Sequence, residues 1–227
     1  MHHSIILAGL SIVASELLFS SMGALIKVLA AELPYAVLVF ARNFFGLLAL
    51  LPLLWHLRAQ GLRTRVPYLH LLRAGAGLGA MYCFFYAIAH LPLAEAVLLK
   101  LTAPLFLPLI ALFWLGERLS LALIVAVLLG FLGVALVLNP GTHSGGLSLA
   151  AVLGLIGGAL AGLAKVTVRR LSASEPSPRI VFYFAAVAST VSAMPLLWYW
   201  QWPSPSQWAL LCLLGGLATG GQLLLTT

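Results

Sequence analysis

Charge is scarce in this chain. Asp, Glu, Lys and Arg make up 7% of its 227 residues, whereas a soluble domain carries about 25%. The same chain is 63% hydrophobic, against roughly 45 to 50% in soluble domains, so it reads as an integral membrane protein. The formal charge of +7 does not point to nucleic acid, because the basic residues are spread among apolar stretches and share no face. Cysteine is nearly absent: Cys83 and Cys212 sit in apolar runs, where cysteine behaves as a small buried hydrophobe, and they carry no message about redox compartment. His2, His3, His56, His70, His90 and His143 scatter near ends and loops and form no metal-ligand cluster. The absence of a Walker-type glycine loop excludes ATP-driven transport within the chain, and no G-x-S-x-G nucleophile motif occurs. The first residues lack a basic leader and a cleavage site, and their apolar run outlasts a signal peptide, so it is read as a retained span.

What the chain has instead is a succession of apolar runs, each near the 20 residues that cross a bilayer as a helix. Eight spans are predicted: Ile5–Leu29, Tyr35–Trp55, Tyr68–Ala89, Leu93–Leu115, Leu119–Leu138, Leu149–Val166, Ile180–Trp200, and Trp208 to the end. Helices follow because the runs are continuously apolar, and in lipid each backbone N–H must find its acceptor within the segment. Arg58, Arg63 and Arg65 fill the second connection, Arg118 the fourth, and Arg169, Arg170 and Arg179 the sixth; the odd connections hold no Lys or Arg. The positive-inside rule then puts even connections and the N-terminus in the cytoplasm.

A repeat is expected. "LPLLW" at Leu51–Trp55 returns as "MPLLW" at Met194–Trp198, a shift of 143 residues, and a shift of 138 brings Lys27 onto Lys165. A unit of five spans is odd, so its second copy enters from the opposite side, as an inverted repeat. The expected division is 1–140 for the first copy and 147–227 for a second, incomplete copy of three helices. The chain is thereby expected to be part of a ten-helix protein.

The stretch "AHLPLAEAVLLKLTAPLFLPLIALFWLGERLS", Ala89–Ser120, resembles the fourth helix of EamA-type transporters of the drug/metabolite transporter superfamily. The shared features are an aromatic third helix (Tyr82, Phe84, Phe85, Tyr86), a mid-helix proline (Pro104) and a closing Gly116-Glu117. The resemblance implies ten helices in two inverted halves, a central cavity, and export or uptake of small metabolites.

The residues themselves carry a site. Glu16 lies near the middle of the first span, where a charge costs roughly 2.5 to 3.5 kcal/mol on insertion scales. Glu16, Ser20, Gly23 and Lys27 follow i, i+4, i+7, i+11, which puts them on one helical face. The corresponding face of the sixth span is Gly154, Gly158, Ala161 and Lys165. Glu16 is either a protonatable or amine-binding group or a carboxylate satisfied by helix packing. The two lysines bind a solute or snorkel to the interface. Arg42, followed by Asn43, binds an anionic group or pairs with Glu95 or Glu16; Glu95 itself suits the positive end of its helix. Lys100 is about 140° from Glu95 around that helix and needs another partner, such as a cavity ligand. Tyr82 and Tyr86 line a cavity or belong to an interfacial aromatic belt. Pro104 and Pro108, with Thr102, free carbonyls that a neighbour or ligand can use.

The expectation is an all-α polytopic membrane protein of inverted five-helix repeats, a secondary carrier for small organic metabolites, with amino acids as the leading substrate class. Its substrate and coupling-ion residues are expected to be Glu16, Ser20, Lys27, Arg42, Tyr82, Tyr86, Lys100 and Thr102. No cofactor, metal or nucleic acid is expected; the partners are a small-molecule substrate, the bilayer and a coupling proton or cation. A cytoplasmic-membrane location with a cytoplasmic N-terminus follows. The rival readings are a membrane-embedded enzyme acting on lipid-linked substrates and an inactive fragment.

Overall fold

The computed structural model describes the backbone of residues 2–57, 63–115, 119–138 and 148–226, and the side chains of 9–52, 63–114, 119–138 and 148–224. Arg58, Gly116, Glu117, Arg118 and His143 lie outside the described residues, as do the side chains of His2, His3 and His56. The described chain is helical throughout: α1 (His2–Leu29), α2 (Tyr35–Leu57), α3 (Pro67–His90), α4 (Leu93–Lys100), α5 (Ala103–Leu115), α6 (Leu121–Leu138), α7 (Leu149–Leu171), α8 (Ser177–Ala193), α9 (Leu196–Tyr199) and α10 (Pro205–Thr226). Seven segments among the described residues are long and apolar enough to cross a membrane, with α4 and α5 counted together.

Helix starts follow local chemistry. Ser204 and Gln207 form a reciprocal cap at α10: the Gln207 amide donates to Ser204 Oγ at 3.3 Å, and the Ser204 amide donates to Gln207 Oε1 at 2.8 Å. This Ser-x-x-Gln arrangement satisfies donors that a helix start leaves without acceptors. Ser120 and Ser148 cap α6 and α7 through the amides three residues on.

Two predicted spans are not single continuous helices, though the first of them, Leu93–Leu115, still forms one segment long and apolar enough to cross a membrane. Leu93–Leu115 is broken at Leu101–Thr102 into α4 and α5. Pro104 has no N–H for the carbonyl of Lys100 and its ring crowds that carbonyl. The backbone tightens instead, with Thr102 N donating to Leu99 O at 3.1 Å and Leu105 N to Thr102 O at 2.9 Å. Ile180–Trp200 is not one helix either. α8 ends at Ala193, the short α9 follows Pro195, and Trp200 is extended at φ −68, ψ 129. Proline alone does not decide this, since Pro52 lies inside α2 and Pro108 inside α5. After Pro195 the chain must leave the helix to reach the cap at Ser204.

The chain forms two compact units, Met1–Ala74 with Leu171–Thr227, and Gly75–Arg170. In the first, α10 packs on both α1 and α2, and α2 also packs on α8. Glycine permits the approach: a methyl group on Gly215 would collide with Phe45, and one on Gly46 would lie 2.7 Å from Thr219 Oγ1. Ser15 Oγ donates to Gly221 O at 2.7 Å and Thr219 Oγ1 to Gly46 O at 3.1 Å, so small residues and hydroxyls join these helices where lipid supplies little hydrophobic drive. Leu50, Val181 and Ala185 form the apolar core beside them.

In the second unit, Leu99, Val134, Leu138 and Ala151 form the core. Gly154 and Gly158 of α7 press on Leu99 and Thr102. The face expected to mirror the polar stripe of α1 is therefore a packing surface. Most of α6 is outward-facing; its buried residues, Val127, Val134 and Leu138, repeat at i, i+7, i+11, leaving a wide leucine face suited to acyl chains.

Candidate functional site

In the first unit, three helices bring charge into apolar surroundings. α2 supplies Arg42, α3 supplies Arg73 and α8 supplies Phe184. Both arginines are buried, with 8% and 9% of their surface exposed, and Phe184 is buried at 3%. The guanidinium carbons lie 5.4 Å (Arg42) and 4.2 Å (Arg73) from the centroid of the Phe184 ring. Arg42 Nη1 donates to Asn43 Oδ1 at 2.8 Å. The Nε atoms of both arginines have no hydrogen-bond acceptor among the described residues. The ring supplies a cation–π contact worth about 2 kcal/mol when desolvated, but no negative charge. The acceptor that the structure gives Arg42 is its chain neighbour Asn43.

One end of the same unit carries a second polar cluster. Glu175 follows α7 in the turn to α8 and is buried at 6% exposure. Its Oε1 accepts from Thr64 Oγ1 at 2.6 Å and its Oε2 from Arg179 Nη1. Thr64 Oγ1 also accepts from the Val66 amide at 3.1 Å, fixing the approach to Pro67 and α3. Burial pushes the Glu175 carboxyl up, but the hydrogen bonds from Thr64 and Arg179 and the positive charge of Arg179 outweigh it and hold the group below the usual carboxylate range. His70, buried at 1% exposure, stacks on Tyr183 with ring centroids 4.4 Å apart. Neither ring nitrogen of His70 has a partner among the described residues.

The predicted site residues divide between the units. Glu16 and Ser20 are exposed on α1 and Lys27 is half-buried. Their face lies away from the one formed by Ser15, Met22, Ile26 and Leu29, which is buried. Arg42 is in the buried group just described. In the second unit, Lys100 Nζ lies 5.6 Å from the centroid of the Phe84 ring. Tyr86 stacks on His90 with centroids 4.0 Å apart, and Tyr82 is half-buried. Thr102 is fully buried and donates to Leu99 O at 2.6 Å, the same carbonyl that accepts the Thr102 amide.

Sequence reasoning missed Arg73, Phe184 and the Glu175 cluster. Arg73 had a signal: it is an arginine inside a predicted span, the same anomaly that singled out Glu16. Phe184 had none, because an aromatic residue in an apolar helix is ordinary. Thr64 and Glu175 are 111 residues apart, and nothing local joins them.

Comparison with known proteins gives this architecture a place. Residues 6–139 match the EamA-like transporter family. The chain is 39% identical over 217 residues to the pseudopaline exporter CntI of Pseudomonas aeruginosa, covering 94% of this chain and 75% of the exporter. It is 28% identical to an S-adenosylmethionine uptake transporter of Rickettsia prowazekii, over 83% of this chain and 64% of the relative. It is 27% identical to a riboflavin transporter of Rhizobium johnstonii, over 97% of this chain and 74% of the relative. A solved crystal structure superimposes with a TM-score of 0.68 at 23% identity, covering 96% of this chain and 78% of that one, which establishes the fold. With multiple apolar helices, a family match over most of the first 140 residues and a relative at this level of identity, the chain is a multi-pass membrane protein belonging to the EamA-like transporter family.

Proposed function

We propose that this protein is a secondary carrier that moves a small organic metabolite across the bacterial cytoplasmic membrane by alternating access between two inverted halves, 1–140 and 147–227. The substrate is an amino-acid-like solute bearing both signs of charge. The observation that carries the reading is the polar stripe of α1: Glu16, Ser20, Gly23 and Lys27 share one face of a single helix long enough to span the bilayer. An ionisable group at that depth is by default functional. Glu16 serves as the proton or cation site, and Lys27, Arg42 and Lys100 bias the solute path toward anionic groups, with Tyr82 and Tyr86 along its wall.

Three observations support this architecture. α1 packs on α10 in the first unit, and α7 packs on α3 in the second, where a methyl group on Gly157 would lie 2.8 Å from Cys83 Cβ. If α7, α8 and α10 are second copies of α1, α2 and α3, these are one contact with the copies exchanged. The α2–α10 contact is matched in the same way by α3 on α8, through His70 with Tyr183 and Arg73 with Phe184. Finally, connections of like parity meet: Thr64 of the second reaches Glu175 of the sixth, and Gln201 and Gln207 of the seventh reach Glu32 of the first at 3.1 and 2.5 Å. The side itself rests on the arginines of the even connections.

The test is solute efflux or uptake in proteoliposomes with an imposed pH gradient. Glu16→Gln is expected to abolish the dependence on the gradient while leaving solute binding in place. Wild-type gradient dependence in that variant would reject the coupling role of Glu16.

A further inference from the structure

We propose that Arg42, Arg73 and Phe184 form a binding site for a small solute that carries two carboxylates. The site needs an anion. Two buried cations share one ring, and among the described residues no ion pair joins either of them to a carboxylate of the first unit. Each keeps an Nε without an acceptor among the described residues, in surroundings where an uncompensated charge is costly. Arg42 donates to the amide oxygen of Asn43, which is neutral.

Structural explanations for Arg73 do not fit. It stands in the second turn of α3, inside a segment apolar enough to cross a membrane. Only 9% of the residue is exposed, and the guanidinium lies over Phe184 at 4.2 Å. Arg42 is likewise 8% exposed in the interior of α2.

The chemistry of the pair names its ligand. A guanidinium presents a planar fork of donors that matches the two oxygens of a carboxylate. Two forks on one apolar ring suit a compact solute with two such groups, and the aromatic face holds the guanidinium planes while the solute is absent. That this anion is also the solute carried rests on the carrier reading above; its binding does not.

The experiment is thermal unfolding of the purified chain in detergent, titrated with succinate and, at matched ionic strength, with uncharged succinamide. Succinate is expected to raise Tm and succinamide to leave it unchanged. Arg73→Gln and Arg42→Gln are each expected to weaken the apparent Kd for succinate about 10- to 100-fold, the loss of one charged hydrogen-bonding partner. Without ligand their Tm is expected to equal or exceed that of the wild type, since each removes a buried charge that lacks a counter-ion. Phe184→Leu removes the aromatic face and is expected to weaken succinate binding, with a lower ligand-free Tm from the lost cation–π contacts and the smaller side chain. Equal shifts with succinate and succinamide would overturn the proposal. So would wild-type affinity in Arg73→Gln, or stabilisation by phosphatidylglycerol vesicles with none by succinate, which would make the pair a lipid headgroup site. A protein that binds succinate but moves no solute would defeat the carrier reading and leave this site standing. One that transports but ignores succinate would defeat the site alone.

Discussion

Thr64 donates a 2.6 Å hydrogen bond to Glu175 across 111 residues of chain, so the segment entering α3 is tied to the turn between α7 and α8. The same carboxylate accepts from Arg179 one helical turn further on. A buried group with all its oxygens engaged is costly to disturb, because each lost partner leaves another without one.

Glu175 therefore gives stability a pH dependence. Its folded value lies below the ordinary carboxylate range, so its contribution is fully present above the unfolded value of about 4.3 and is lost as pH falls through the lower, folded value. Glu175→Gln is expected to cost about 1 to 3 kcal/mol at neutral pH by removing the charge that accepts from Thr64 and Arg179. It should also flatten the acid limb of Tm against pH. An acid limb identical to that of the wild type would show that Glu175 contributes nothing to it.

The contact of α7 with the α4–α5 break sets a second expectation. A methyl group at position 158 would collide with Thr102 Oγ1 and approach Leu99 O at 3.1 Å. Gly158→Ala is expected to destabilise by about 1 to 3 kcal/mol through overpacking. Thr102→Ala in the same background should recover part of this, a non-additivity that neighbouring sites show. Gly133→Ala is the control: nothing lies within 4 Å of a methyl there, so the substitution should raise stability by about 0.5 to 1 kcal/mol through helix propensity. Unfolding in detergent by tryptophan fluorescence measures all three.

Interhelical hydrogen bonds inside a membrane are worth about 0.6 kcal/mol on average and up to about 1.7. Ser15→Ala removes the bond to Gly221, and Thr219→Val removes the one to Gly46. Each is expected to fall in that range, and the double variant should be additive, since one bond joins α10 to α1 and the other joins it to α2. A loss several times larger would mean that these hydroxyls hold the helices in place rather than trim their contact.

At the start of α10, Ser204→Ala removes the acceptor for the Gln207 amide. It is expected to cost about 0.5 to 2 kcal/mol. Hydrogen exchange should quicken in the first turn of α10 and remain slow near Leu211 and Leu214, which are fully buried.

The parts legible in the sequence are those with local causes. The long apolar runs announced the helices, and α1, α2, α3 and α6 begin and end within a few residues of expectation. The spacing of Glu16, Ser20 and Lys27 placed them on one face because helical periodicity is a property of the run itself. The break at Thr102 and the early end of α8 were harder to read. Proline also sits inside α2 and α5 without ending them, so its effect depends on what the neighbouring turns can offer.

What the sequence determined alone is a chain of membrane helices of the EamA-like family, with charges rare enough that each one asks for an explanation. Only the tertiary structure decided which explanation each received. It brought Arg42, Arg73 and Phe184 together from three helices, gave Glu175 to Thr64 and Arg179, and made the glycines of α7 a packing face. The physical reason is that apolar run length and helical period are set by adjacent residues, whereas the partner of a buried charge is set by which helices pack, and that is fixed by shape over separations of a hundred residues or more.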